Sequence, residues 1–348
     1  MSPRPLPPPA KRRTKLAGFA RIEALNHEAE ARRGNDVPGA LALACESERL
    51  ARISGHRAAA GTALLIQSNC HADQGHYAPA LTCARKAFDD LSAANEPAGR
   101  ARALNLMGNV FMTTGRYDRA MAFYRRGLRV LEVAGLDTAR AHRNIGVVHF
   151  HTGRHAEAMR SYETALSRAL AAGDKRWAGL ILMDLGNCIS AAGDEPSALN
   201  YYIESLAIHE REQHLVEQAY VLRNLGDCRR RLGQLTEARA ALARAIALTK
   251  RTGEQRLRLY LFISLAELES GMGRPVEAEK RYVGVLGLAR KTGNRAAEAQ
   301  ILTELGTLCT ARRQHAKATR HYRAAQEIAV KVGEAELIRR LRRALQQS

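Results

Sequence analysis

The stretch LMGNVFMTTGRYDRAMAFY, residues 106–124, decides how the rest of the chain is read. With its flanks it places Leu104, Met107 and Phe111, then Ala120, Tyr124 and Leu128, at helical spacing on either side of TTGRY. That pattern predicts two antiparallel amphipathic helices joined by a short turn. The text then returns: NIGVVHFHTGRHAEAMRSY at 144–162, DLGNCISAAGDEPSALNYY at 184–202, NLGDCRRRLGQLTEARAAL at 224–242, SLAELESGMGRPVEAEKRY at 264–282 and ELGTLCTARRQHAKATRHY at 304–322. A fixed period of this length marks a repeat architecture.

The period is 40 residues, and two independent frames carry it. In the first, Gly108, Gly146, Gly186, Gly226, Ala266 and Gly306 align, each followed twelve positions later by Ala120, Ala158, Ala198, Ala238, Ala278 and Ala318, with Ala80 and Ala40 continuing the column backwards. Small residues there let neighbouring helices approach closely enough for ridges to enter grooves. In the second, Gly55, Asn95, Gly135, Gly173, Gln213, Gly253, Gly293 and Gly333 mark where second helices should end, mostly residues that tolerate a left-handed conformation. Tyr124, Tyr162, Tyr202, Tyr282 and Tyr322 share one place in the second helix and are expected to pack between helices. Cys70, Cys188 and Cys228 share another place and read as small buried hydrophobes.

Composition agrees with an all-α chain. Ala, Leu, Arg and Glu dominate the 348 residues, and aromatics make up only 5%. Half of the ten prolines lie in the first nine residues, so residues 1–17 read as a disordered, Pro-rich basic tail, followed by a solenoid over 18–333 and a capping helix over 334–348. The formal charge of +19 gathers at the ends: residues 1–17 carry five basic groups and no acid, and residues 276–348 carry fifteen basic and seven acidic. The six cysteines form no CxxC pair, and no apolar run reaches the length of a signal peptide core or a membrane span, so a cytoplasmic protein is expected.

These residues resemble the tetratricopeptide repeat (TPR), in the subgroup whose repeat is 40 residues long. The resemblance covers about residues 20–330; it is weak at 21–55, where Asn35, Val37 and Ala44 stand in place of the expected glycine and aromatics. It implies a right-handed superhelical solenoid of about eight repeats, the first degenerate, with the first helix of each repeat lining a concave groove that binds a protein or peptide. Carried over position by position, the groove residues are Arg102, Asn105 and Asn109; Arg140, Arg143 and Asn144; Met183, Asp184 and Asn187; Tyr220, Arg223, Asn224, Asp227 and Arg230; then Tyr260 and Glu267. Arginine forks hold carboxylates and asparagine amides bond peptide backbone, so an acidic peptide or helix is the expected partner. The carboxylate clamp of chaperone-binding relatives matches only at Asn109 and Asn144; Asn105, Leu180 and Asp184 fill its other places, so binding of chaperone tails is not expected.

No nucleotide, metalloprotease, hydrolase or EF-hand motif is present. His142, His149, His151 and His155 lie in one repeat, but only His151 and His155 are four apart and a turn separates them, so no metal and no cofactor is expected. Glu157, Glu237 and Glu277 each precede the repeat alanine and form a surface column, not an acid/base pair. The leading expectation is a non-catalytic adaptor, scaffold or signalling sensor. Two alternatives stand beside it: a nucleic-acid-binding repeat protein using its basic ends, and a regulatory subunit of a separately encoded enzyme or transcription regulator.

Overall fold

The computed structural model describes residues 9–34, 36–291, 293–332 and 335–347. Among them are seventeen α-helices and no strand. The chain divides into two units, Met1–Thr152 and Gly153–Ser348. The first holds α1 (Pro9–Arg32), α2 (Val37–Ile53), α3 (Arg57–Asp73), α4 (Tyr77–Ala93), α5 (Pro97–Thr113), α6 (Tyr117–Val133) and α7 (Ala139–His151). The second holds α8 (His155–Ala171), α9 (Lys175–Ala191), α10 (Glu195–Arg211), α11 (Leu215–Arg231), α12 (Leu235–Thr252), α13 (Gln255–Gly271), α14 (Pro275–Lys291), α15 (Arg295–Ala311), α16 (His315–Val332) and α17 (Ala335–Gln347). Within each unit every helix packs on the next in sequence, and first helices also meet first helices: α1 with α3, α3 with α5, and α9, α11, α13 and α15 in succession.

Turn chemistry sets these helix lengths. Second helices stop at Gly55, Asn95, Gly135, Gly173, Gln213, Gly253 and Gly293, all with positive φ, as the glycine column predicts. Gly333 lies outside the described residues. A second left-handed residue closes first helices, at Gly75, Gly115, Gly153, Gly193, Gly233, Gly273 and Arg313.

The alanine column is the seam of the core. Ala40, Ala80, Ala120, Ala158, Ala198, Ala238, Ala278 and Ala318 are all 0% exposed. The glycine column has a more specific purpose than close helix approach. A Cβ at Gly108, Gly186 or Gly306 would fall 2.4, 2.7 or 2.5 Å from the ring of Tyr124, Tyr202 or Tyr322, so glycine makes room for the tyrosine of the second helix. At Gly226 the neighbour is Leu242 instead. Cys70, Cys188 and Cys228 are buried as expected, and burial pushes their thiols up to about 11, 12 and 12.

The N-terminus differs from its reading. Helix α1 starts at Pro9, so the stretch expected to be an extended tail is helical from residue 9 onward, and residues 1–8 lie outside those described. Proline suits the first helical position, and the Ala, Lys and Arg that follow favour helix. Helix α17 lays Leu337, Ile338, Leu341, Ala344 and Leu345 against the core of the preceding helices. Among the described residues no helix is long and apolar enough to cross a membrane.

Candidate functional site

In the first unit the polar positions of α5 and α7 are tied together. Asn144 Nδ2 donates to Asn105 Oδ1, which joins one first helix to the next. From the second helix α6, the Tyr124 hydroxyl donates to Asn109 Oδ1 at 2.7 Å. Burial raises the Tyr124 phenol, against the pull of the Arg143 charge, so the hydroxyl stays a donor. Arg102, Asn109 and Arg140 are exposed, while Asn105, Arg143 and Asn144 are half-buried. Helices α5 and α7 carry Arg100, Arg102, Arg140 and Arg143 and no carboxylate at all.

The second unit repeats the tyrosine device and then changes character. Tyr202 donates to Asn187 Oδ1 at 2.8 Å, and Asn224 Nδ2 donates to the same oxygen at 3.0 Å, so α9, α10 and α11 meet at one amide. Arg223 Nη2 reaches Asn224 Oδ1 at 3.3 Å while its guanidinium lies 5.8 Å from the centre of the Tyr260 ring. Tyr220 is 38% exposed. Further along, Ser264 Oγ donates to Asp227 Oδ2 at 3.2 Å, and Arg230 Nη2 pairs with Glu267 Oε2 at 3.1 Å.

Four sequence-predicted positions come out differently from a groove for carboxylates. Asp184 is 7% exposed and belongs to the interior, as does the neighbouring Met183. Arg230 is already engaged by a carboxylate from the next first helix, because Glu267 sits 37 residues later, within one repeat of it. Asp227 brings a second negative charge to the same wall and keeps a buried oxygen, Oδ1, that no described residue bonds. The sequence reading gave Tyr282 a packing role only and passed over Glu304 and Arg340; all three line one cavity with Glu267. The column that begins each repeated stretch, Asn144, Asp184, Asn224, Ser264 and Glu304, already held the signal for Glu304.

Glu267 is the perturbed group of this wall. Burial, then the charges of Asp227 and Glu304, push its carboxyl up to about 7 in spite of Arg230 and Arg223. It titrates where an ordinary glutamate would be fully ionised.

Models of the tetratricopeptide repeat match residues 82–130 and, in overlapping segments, 137–211, 177–251 and 215–283. The chain belongs to the tetratricopeptide-repeat family. No curated protein sequence matches it. Among solved structures, this TPR chain is similar to the Rap conjugation gene regulator of plasmid pLS20 in complex with the Phr* peptide, with a TM-score of 0.68 and 13% identity over 90% of this chain and 96% of that one. It is similar to a Rap protein complexed with competence and sporulation factor, at 0.67 and 15% over 90% and 98%. Aspartyl phosphate phosphatase F from Bacillus subtilis follows at 0.64 and 14% over 88% and 93%. At these identities the likeness establishes the TPR fold.

Proposed function

We propose that this TPR chain is a non-catalytic peptide-binding module, an adaptor or sensor, and that the first-helix face of its first unit holds an acidic segment of a partner. The observation that carries this reading is the pairing of Asn105 with Asn144 across two helices that carry four arginines and no carboxylate. Amides fixed in this way offer donors and acceptors to an extended peptide backbone, and Arg102, Arg140 and Arg143 suit the carboxylates of its side chains. The Rap structures with bound factor or peptide lend the same fold a peptide-binding use.

The test is an array of immobilised, capped dodecapeptides probed with the wild-type chain and with a variant carrying Arg102→Glu, Arg140→Glu and Arg143→Glu, all after nuclease treatment. Enrichment of Asp and Glu among wild-type binders, reversed in the variant, is the expected result. Identical profiles for the two chains overturn the acidic-segment reading. Retention of nucleic acid in place of any peptide turns the function toward phosphate backbones, with the steep salt dependence those contacts bring.

A further inference from the structure

The second unit holds a cavity of about 440 Å³, open to solvent, between α11, α13, α14, α15 and α17. Its polar lining is Arg230, Glu267, Ser270, Tyr282, Glu304, Thr307 and Arg340. Two ion pairs stand in that lining, Arg230 Nη2 to Glu267 Oε2 at 3.1 Å and Arg340 Nη2 to Glu304 Oε1 at 3.0 Å. Each pair uses one carboxylate oxygen. Glu267 Oε1 and Glu304 Oε2 accept no hydrogen bond among the described residues.

Tyr282 departs from its counterparts. Tyr124 and Tyr202 spend their hydroxyls on Asn109 and Asn187, and Tyr322 lies within reach of Thr307 and Thr310. The residue at the corresponding place for Tyr282 is Glu267, and its hydroxyl has no hydrogen-bond partner among the described residues although the residue is only 1% exposed. Its oxygen is not among the fully buried, unpartnered polar atoms, so it opens onto the cavity. Here it faces the cavity together with two carboxylates.

We propose that this cavity seats the protonated amine or guanidinium of a Lys or Arg side chain on a bound peptide, with Glu267 Oε1, Glu304 Oε2 and Tyr282 Oη accepting its N–H bonds. The assignment rests on the reading of the chain as a peptide-binding module. An ammonium brings three donors and a guanidinium five, and neither brings an acceptor, so a ring of acceptors is what such a group needs. Arg230 and Arg340, which line the cavity as well, each hold one of the two carboxylates in place through its other oxygen.

The lining sets two arginines against two glutamates, so the preference for a cation comes from the unused acceptor oxygens and not from net charge. Glu267 stands at about 7 through burial and through Asp227 and Glu304, against Arg230 and Arg223 on α11. The Tyr282 phenol is raised as well, by burial first and then by Glu267 and Glu304, with Arg230 and Arg340 opposing. A cation seated beside Glu267 favours its ionised form, so binding releases a proton and tightens as pH rises through 7.

The experiment is fluorescence polarisation with acetylated, amidated nonapeptides of Ala, Ser and Gln carrying Arg, Lys, Gln or Glu at the centre. Agmatine and an uncapped nonapeptide without basic residues serve as the free-amine and α-ammonium arms. The Arg and Lys peptides should bind at least about tenfold tighter than the Gln and Glu peptides, and Glu267→Gln and Glu304→Gln should each remove about that factor. Tyr282→Phe, which keeps the ring and the packing, should weaken binding severalfold. Affinity should rise between pH 6 and 8 in the wild type and stay flat in Glu267→Gln. Peptides that bind without preferring a cation, or equally to wild type and variants, overturn this assignment and leave the peptide-binding reading standing. Binding of agmatine alone supports the cation site and overturns the peptide as its source; binding of no probe overturns both.

Discussion

The Tyr202 hydroxyl and the Asn187 amide oxygen lie 2.8 Å apart across a helical hairpin, and Gly186, the residue before Asn187, is what lets the ring reach. The same oxygen takes the Asn224 amide, so a packing residue of the second helix fixes a polar residue of the first and, through it, the next repeat. Core and surface are thus one construction here, built from glycine, asparagine and tyrosine at fixed spacing.

Gly186→Ala tests that construction. The new Cβ would fall 2.7 Å from Tyr202 Cε1, against a stiff ring that is itself buried. Overpacking costs about 1–3 kcal/mol and the better helix propensity of alanine returns about 1, so a net loss of about 1 kcal/mol is expected. Gly284→Ala, on an open helix face with nothing within 4 Å, should instead stabilise by about 0.5–1 kcal/mol. Paired urea titrations decide it, and equal shifts for the two variants would show that the ring is not the obstacle.

Gln213 occupies a glycine's place. Its φ is +57° at the end of α10, and its side-chain amide donates to the Glu210 carbonyl at 3.1 Å. A left-handed residue with a Cβ costs about 1–2 kcal/mol, of which the hydrogen bond and the greater freedom of unfolded glycine return part. Gln213→Gly should therefore stabilise by about 0.5 kcal/mol. A lower midpoint for this variant would show that the side-chain bond outweighs the strain.

The position of Gln213 was readable from the sequence because turn chemistry is local: a residue 40 places from Gly173 and Gly253 inherits their geometry whatever its side chain. The alanine and tyrosine columns were readable for the same reason. Glu267 was legible as a residue of the first-helix face, yet its bond to Arg230 was not, since a column says what points one way and nothing of which partner each member takes. Asp184 shows the converse limit. It shares a column with Asn144 and Asn224, but the structure buries it where they are half-buried.

His209 makes stability depend on pH. It is 0% exposed, its ring Nδ1 lies 3.4 Å from His214 Nδ1, and Gln218 donates to its carbonyl. Burial drives its pKa down to about 4, with Glu217 opposing and His214 and Arg176 adding to the fall. Above the ordinary histidine value of about 6.5 both folded and unfolded forms are neutral, so nothing is lost. Between there and 4 only the unfolded form takes the proton, and stability should fall by about 1 kcal/mol per pH unit, levelling off below 4. Thermal melts from pH 7.5 to 4 in wild type and His209→Gln check this, and parallel slopes in the two would assign the acid sensitivity elsewhere.

Leu341 tests how the C-terminal end of the second unit is held. It is 0% exposed and is a member of the core cluster that also contains Leu305, Leu308 and Tyr322. In a repeat array each element leans only on its neighbours, so damage at an end should spread inward by local opening before it unfolds the whole. Leu341→Ala removes a fully buried side chain, worth about 2–5 kcal/mol at such a site. Hydrogen exchange should show α17 amides losing protection first, then those of α16 and α15, while α9 to α11 keep theirs. A uniform loss across the unit would mean that it opens as one cooperative block, and the cavity lined by Arg340 would then share the stability of the whole unit instead of that of its edge.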